Sequence, residues 1–185
     1  MKVIFLDVDG VLNSEIWFIR NHQHPVPGAA KIDLKYVRNL QKIVRRTGAE
    51  IVLSSTWRGE VRKNKKHPLH QILANHGMRI YDYTTTARVE GGFEKPGYQR
   101  GYEIQAWLDD HPDVTNIVIL DDDNDMMHLE KYLVKTRFNA YDGHKTSRWW
   151  LEGLNRKKAR AAIKMLNQPY VNIYKTKEFI SRKKF

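Results

Sequence analysis

The stretch Val3-Ile4-Phe5-Leu6-Asp7-Val8-Asp9-Gly10-Val11-Leu12 decides how the rest of the chain reads. An apolar run this short, rich in β-formers, reads as a buried strand rather than a helix. It ends in two acids and a glycine, so the strand delivers carboxylates to the edge of a buried sheet. Like charges that close persist only where a cation or a proton compensates them. The first acid is placed to act as a nucleophile and the second as a proton donor, with a hard metal ion between them.

Strand-like and helix-like segments alternate outward from there. Residues 2–8 form the first expected strand. Asp33 is an N-cap for a helix carrying Leu34, Val37, Leu40, Ile43 and Val44 on one stripe, closed by Gly48. Glu50-Ile51-Val52-Leu53-Ser54 reads as a second strand, and Pro68 opens a helix over 68–76 with Gly77 as terminator. Residues 78–83 read as a weaker strand. Tyr102, Ile104, Trp107 and Leu108 mark a helix stopped by His111-Pro112, and residues 116–120 are a third strong strand. A helix near 125–131, a strand at 132–136 and a helix over 146–167 complete the pattern, while 14–30 and 84–99 read as irregular. This rhythm predicts an α/β fold: a Rossmann-like, mainly parallel sheet with helices on both faces.

Composition bounds the function. The chain has 185 residues, 41% hydrophobic and 29% charged, which suits one domain with a real core. Without cysteine, thiol catalysis and thiolate metal sites are excluded. No apolar run reaches the roughly 20 residues of a membrane span, and the first residues are too acidic for a signal peptide. A cytoplasmic protein with no membrane partner is expected. The net charge is +11, of which residues 151–185 carry +8, through ten Lys/Arg against Glu152 and Glu178. A basic end on a nearly neutral body suggests an anionic partner, nucleic acid first among them, or a solubilising tail.

Ligands of open parallel sheets bind outside the carboxyl ends of the strands. Three strong strands end there in reactive groups: Asp7 and Asp9; Ser54-Ser55-Thr56-Trp57-Arg58; and Asp121-Asp122-Asp123-Asn124-Asp125. Each alone is explained as a turn or a helix cap. Together they form an oxygen-rich site, free of Cys, that favours Mg²⁺ over zinc.

The segments Phe5-Leu6-Asp7-Val8-Asp9-Gly10-Val11-Leu12-Asn13, Val52-Leu53-Ser54-Ser55-Thr56-Trp57-Arg58, Arg100-Gly101-Tyr102-Glu103-Ile104 and Val118-Ile119-Leu120-Asp121-Asp122-Asp123 resemble the successive motifs of the haloacid dehalogenase (HAD) superfamily. They are most similar to the small branch found as a domain in RNA-repair proteins, over roughly residues 2 to 167. The resemblance implies that Asp7 attacks phosphorus, that Asp9 is the acid and base, and that Ser54, or its neighbour Ser55, holds a phosphoryl oxygen. It implies a neutralising cation at Arg100, with Lys95 as the alternative. Gly10, Ser55, Arg58 and Lys95 become substrate-binding positions. Mg²⁺ would be held by the Asp7 carboxylate, the Asp9 main-chain oxygen and Asp121, with Asp122 or Asp125 helping directly or through water.

The superfamily usually inserts a cap after the first or second motif. Here only the segments near 14–30 and 84–99 are available, which implies minimal caps and an open site on a core of residues 1–167, followed by a basic tail over 168–185. The expected function is removal of a terminal phosphate from a nucleic-acid end, DNA or RNA, with the 3′ end preferred through the repair-protein resemblance. A nucleotide or small phosphomonoester phosphatase and an idle nucleic-acid-binding module are the alternatives. His67 and His70 lack the acids or cysteines of a metal site. Trp149-Trp150 and the aromatic residues of the tail are compatible with base stacking and with plain packing alike.

Overall fold

The computed structural model describes residues 1–22, 31–85, 99–138 and 152–171. Five strands, β1 (Lys2–Leu6), β2 (Glu50–Leu53), β3 (Ile80–Tyr83), β4 (Asn116–Asp121) and β5 (Leu133–Lys135), form one sheet in the order β3-β2-β1-β4-β5. Every pairing is parallel, with Phe5 opposite both Val52 and Ile119. The all-parallel order places β1 at the centre with its carboxyl end between those of β2 and β4.

Helices cover both faces, as the βα rhythm requires. Side chains alternate across a strand, so Ile4 and Leu6 enter one core with α2 (Leu34–Thr47), α4 (Pro68–Ala74) and α6 (Arg156–Met165). Val3 and Phe5 enter a second core against α5 (Gln99–Asp110) and a 3-10 helix, Met127–Tyr132. Burial on both faces explains why β1 is apolar at consecutive positions rather than alternating. Phe5 meets the Trp107 ring edge-on at 5.4 Å between centroids.

The expected stop signals act as read. The Asp33 side chain accepts from the Lys35 N–H at 2.8 Å, and Gly48 closes α2 by donating to the Val44 carbonyl. Pro68 is the first residue of α4, capped by the His67 ring, whose Nδ1 accepts from the Leu69 N–H at 3.2 Å. His70 Nε2 lies 3.0 Å from the Val61 carbonyl, so both histidines are engaged with backbone.

Two expectations need correction, and one short helix carried no expectation. Residues 15–22 are not irregular: they form helix α1 (Glu15–His22), anchored by the Glu15 N–H on the Phe138 carbonyl at 2.9 Å. A second short helix, α3 (Arg58–Lys63), follows the hydroxyl motif directly. Of the helix expected over 146–167, residues 146–151 lie outside the described residues and residues 152–155 are not helical: Gly153 takes the left-handed conformation (φ +54°), and α6 starts at Arg156 behind Asn155, which caps it through the Lys158 N–H at 3.1 Å. Instead of coiling, residues 153 and 154 strap the sheet: the Gly153 N–H donates to the Arg137 carbonyl and the Leu154 N–H to the Val11 carbonyl. Residues 23–30 and 86–98, most of the two expected cap segments, lie outside the described residues, as do Trp149, Trp150 and the tail from 172.

At Gly153 a β-carbon would meet the Tyr36 ring as well as the wrong backbone region. Gly153→Ala is therefore expected to lower stability by about 2–4 kcal/mol, from left-handed strain plus overpacking. A lower urea midpoint at unchanged slope would show it.

Candidate active site

β1 ends by setting Asp7 at the sheet's carboxyl edge. The Asp7 N–H still belongs to the sheet, donating to the Leu120 carbonyl at 2.9 Å, so the carboxylate is held by the same ladder as the core. β4 brings Asp121 and Asp122 alongside. One carboxylate oxygen from each of Asp7, Asp121 and Asp122 lies within 4.8 Å of the others. Gly10 makes this approach possible: its φ is +70°, and a β-carbon there would collide with the Asp122 carboxyl.

The electrostatics follow from burial. Asp7 and Asp121 are 6% and 1% exposed. Desolvation pushes the Asp7 carboxyl above the usual range, against the pull of Arg100, the Ser55 hydroxyl and the Val8 backbone. Burial and then the Asp7 charge push Asp121 up to about 8, and burial followed by Asp7 and Asp123 raises Asp122 to about 6. Without a cation, this cluster holds protons that ordinary carboxylates have lost at neutral pH.

Arg100, in the first turn of α5, is the cation the protein itself supplies. Its Nη1 lies 3.4 Å from Asp7 Oδ1 and also donates to the Ser54 carbonyl, and its Nε lies 3.8 Å from Asp121 Oδ2. Its backbone N–H donates to Asp125 Oδ2 at 3.2 Å, which fixes the start of α5 on the acidic loop. Burial opposes the Arg100 charge, but Asp121, Asp7, Glu103 and Asp125 together hold its pKa above the ordinary value.

Asp9 stands apart from the cluster. Its Oδ1 accepts from Asn13 Nδ2 at 2.7 Å and its Oδ2 from Trp57 Nε1 at 2.8 Å, both neutral donors. Asn13 Oδ1 in turn accepts from the Gly10 N–H at 2.9 Å. Ser54 and Ser55 are fully buried at the end of β2, and the Ser54 Oγ has no hydrogen-bond partner among the described residues. A buried hydroxyl left unmatched in a cleft edged by cations is suited to a ligand oxygen. Arg58 is occupied: it donates to the Ser54 and Ser55 carbonyls at 2.9 and 3.0 Å and pairs with Glu103 at 2.6 Å. It braces the hydroxyl turn. Lys95 lies outside the described residues.

Sequence reading gave no role to Trp57, Asn13 or Glu103, although all three stand inside the quoted motifs. It also gave none to Lys158 in the first turn of α6. That amine is half-buried, its pKa lowered to about 8 by burial and by Arg137 against the opposing influence of Asp122, which puts a second cationic group near the acidic loop.

Parallel sheet, acid-ended central strands and a cation at the head of the following helix together define a HAD-type domain. The chain belongs to the family of HAD domains in Swiss Army Knife RNA repair proteins, whose sequence pattern matches residues 3–141. No curated protein and no solved structure matches it. Membership makes it a domain of the phosphatase-type hydrolases. The match stops short of α6, before the 167 reached by the resemblance read from sequence.

The raised carboxyls carry a pH signature. Folded Asp121 binds a proton up to about pH 8, whereas an unfolded Asp releases it near 4, so the folded state holds more protons between these values. Stability of the cation-free protein should therefore fall as pH rises from about 4 to 8. Chemical denaturation of wild type and Asp121→Asn across that window checks this: the loss should be smaller in the variant.

Proposed function

We propose that this chain is a Mg²⁺-dependent phosphohydrolase that works through an aspartyl-phosphate and removes a terminal phosphate, the 3′ phosphate preferred, from a nucleic-acid end. The carrying observation is the three carboxylates within 4.8 Å, two of them in contact with Arg100, beside an unpartnered buried Ser54 hydroxyl. The family's description points to RNA as the polymer.

The donor set suits Mg²⁺. All three donors are carboxylate oxygens, Asp121 Oδ2 has no hydrogen-bond partner among the described residues, and the three oxygens lie within 4.8 Å, near the ~4 Å diameter of a Mg²⁺ shell. Asp7, Asp121 and Asp122 would hold the ion, with the Asp9 main-chain oxygen as a further donor. Bound there, it would supply positive charge to the transferring phosphoryl group and release the protons of the cluster.

The protein's own groups account for the remainder. Asp7 Oδ attacks phosphorus and the bond from phosphorus to the ester oxygen breaks. Asp9 gives its proton to that leaving oxygen, then takes one from the water that attacks the phosphoenzyme, which frees inorganic phosphate and the Asp7 carboxylate. Ser54 donates to a phosphoryl oxygen, and Arg100 offsets the charge growing on the group in flight. Arg58 and Glu103 hold the hydroxyl turn still. Trp57 and Asn13 aim Asp9 at the leaving group.

Asp7→Asn should abolish turnover and keep the fold, since it relieves repulsion among buried acids. A chelator should abolish turnover of the wild type, and added Mg²⁺ should restore it. A panel of 3′-phosphorylated, 5′-phosphorylated and mononucleotide substrates decides the polymer claim, because equal rates on mononucleotides would overturn it. Trp57→Phe should slow hydrolysis of poor leaving groups by about 10²-fold, the scale of one general acid, and aryl phosphates with good leaving groups far less. A uniform loss across leaving groups would remove Trp57 from that role.

A further inference from the structure

The acid-free character of two neighbouring helices is unexplained by the site. α2 and α6 pack side by side on one face of the sheet. Neither contains an Asp or Glu. Between them they expose nine cations: Lys35, Arg38, Lys42, Arg45 and Arg46 on α2, and Arg156, Lys157, Arg160 and Lys164 on α6. None of the nine forms an ion pair among the described residues. A merely solvated face normally intersperses both signs, which limits self-repulsion. Here repulsion is left standing.

The placement is directed. Asp33, the cap of α2, donates its N–H to the Leu12 carbonyl at 2.7 Å, and Leu154, just ahead of α6, donates to the Val11 carbonyl at 2.9 Å. Both helices thus start from the loop that carries Asp7 and Asp9, and both run away from it. Asn39 ties them together through the Leu154 carbonyl at 2.8 Å. At 1.5 Å per residue they extend the positive face for about 15–21 Å from the catalytic edge. Five of the ten basic residues of the C-terminal region belong to this helix rather than to the tail.

We infer that the exposed face of α2 and α6 is the track on which the sugar-phosphate backbone of a nucleic acid lies, leading its end to the acidic site. The chemistry fits a polyanion with regularly spaced charges, which releases counterions on contact. It does not fit a membrane anchor. Such helices present an apolar face to lipid, whereas here Tyr36, Val37, Leu40 and Ile43 of α2 and Ala159 and Ala162 of α6 are buried against the sheet. Backbone contacts carry no base information, so RNA and DNA should both be held.

The destination of the strand rests on the hydrolytic reading, but the track is tested without it. A labelled 20-mer ending in a 3′ hydroxyl, as RNA and as DNA, is titrated with the full chain by fluorescence anisotropy over a salt series. The fourfold variant Arg38→Glu, Lys42→Glu, Arg160→Glu, Lys164→Glu is compared with Arg62→Glu, Lys63→Glu, Lys65→Glu, Lys66→Glu, which changes net charge equally on the exposed run at the end of α3 and just beyond it. The first should weaken binding at least about tenfold and flatten the plot of log affinity against log salt by about 3, near 0.7 for each phosphate no longer neutralised. The second should change both far less. Equal losses would reduce the effect to net charge and overturn the inference, as would unchanged binding, or capture of phosphatidylserine vesicles with no binding of the oligonucleotides. Should the Glu series lower the thermal midpoint, the same four positions as Gln carry the test. If the 20-mers bind through this face while 3′-phosphorylated versions are never hydrolysed, the track stands and the hydrolytic reading falls.

Discussion

Repulsion among three clustered carboxylates, two buried and one half-buried, is the constraint that organises this molecule. Asp7, Asp121 and Asp122 would separate if they were free to do so. They are not free, because Asp7 is locked into the ladder through its own N–H and Asp121 is the last residue of β4. The energy that keeps them together comes from apolar burial on both faces of β1 and β4, where Ile4, Phe5, Leu6 and residues 117–120 are fully buried. The protein offsets part of the repulsion with Arg100 and part with protons. The remainder is an electrostatic demand that a divalent ion and a phosphoryl group, arriving together, would satisfy. A site that is strained when empty and relaxed when filled is what preorganised electrostatic catalysis requires.

The same logic separates the acids into two kinds. Asp7, Asp121 and Asp122 see each other, and the first two also meet the buried Arg100. Asp9, two residues from Asp7, hydrogen-bonds the neutral donors of Trp57 and Asn13, while its charge still reaches Asp7 and Asp122. The strand ends at Leu6 and the chain turns over residues 9–12, so one short motif feeds two environments. In the first, burial and repulsion hold the Asp7 carboxyl above its usual range until positive charge arrives. In the second, two neutral donors fix the direction of the Asp9 carboxyl. Trp57 belongs to the hydroxyl turn that Arg58 and Glu103 brace, so loosening that brace would move Ser54 and Asp9 together.

What the sequence made legible was local. Buried strands announce themselves because both faces are apolar, so residues 3–6 and 117–120 are uninterrupted; Asp33, Gly48 and Pro68 act through their own dihedral and hydrogen-bonding habits. The order of the motifs placed the acids on one edge. Helix α1 was missed because Ile16, Trp17, Phe18 and Ile19 are consecutive, which gives no period of 3.6, and α3 is too short to show one. The early start assigned to the last helix failed at Gly153, whose conformation is dictated by the Tyr36 ring and the Arg137 carbonyl, neither of which is near in sequence. The Trp57–Asp9 bond spans 48 positions and the Arg58–Glu103 pair 45. Such pairings exist only once the sheet is assembled, so their residues were visible and their roles were not.

Charge is distributed on the same plan at larger scale. A centre this acidic would repel a phosphate-bearing ligand at the distance where encounter begins, unless the surrounding field is of opposite sign. At physiological salt the field reaches about 8 Å, so cations act on the ligand only along the path it follows. Arg100 offsets the acids at contact range, Lys158 lies between Asp122 and Arg137 in the electrostatic sense, feeling both, and the outer faces of α2 and α6 extend positive potential beyond the screening distance. The excess of +11 is therefore not an average property of the surface. A substantial part of it lies on α2 and α6, the two helices that start from the loop carrying Asp7 and Asp9 and that form the inferred path of a negatively charged ligand.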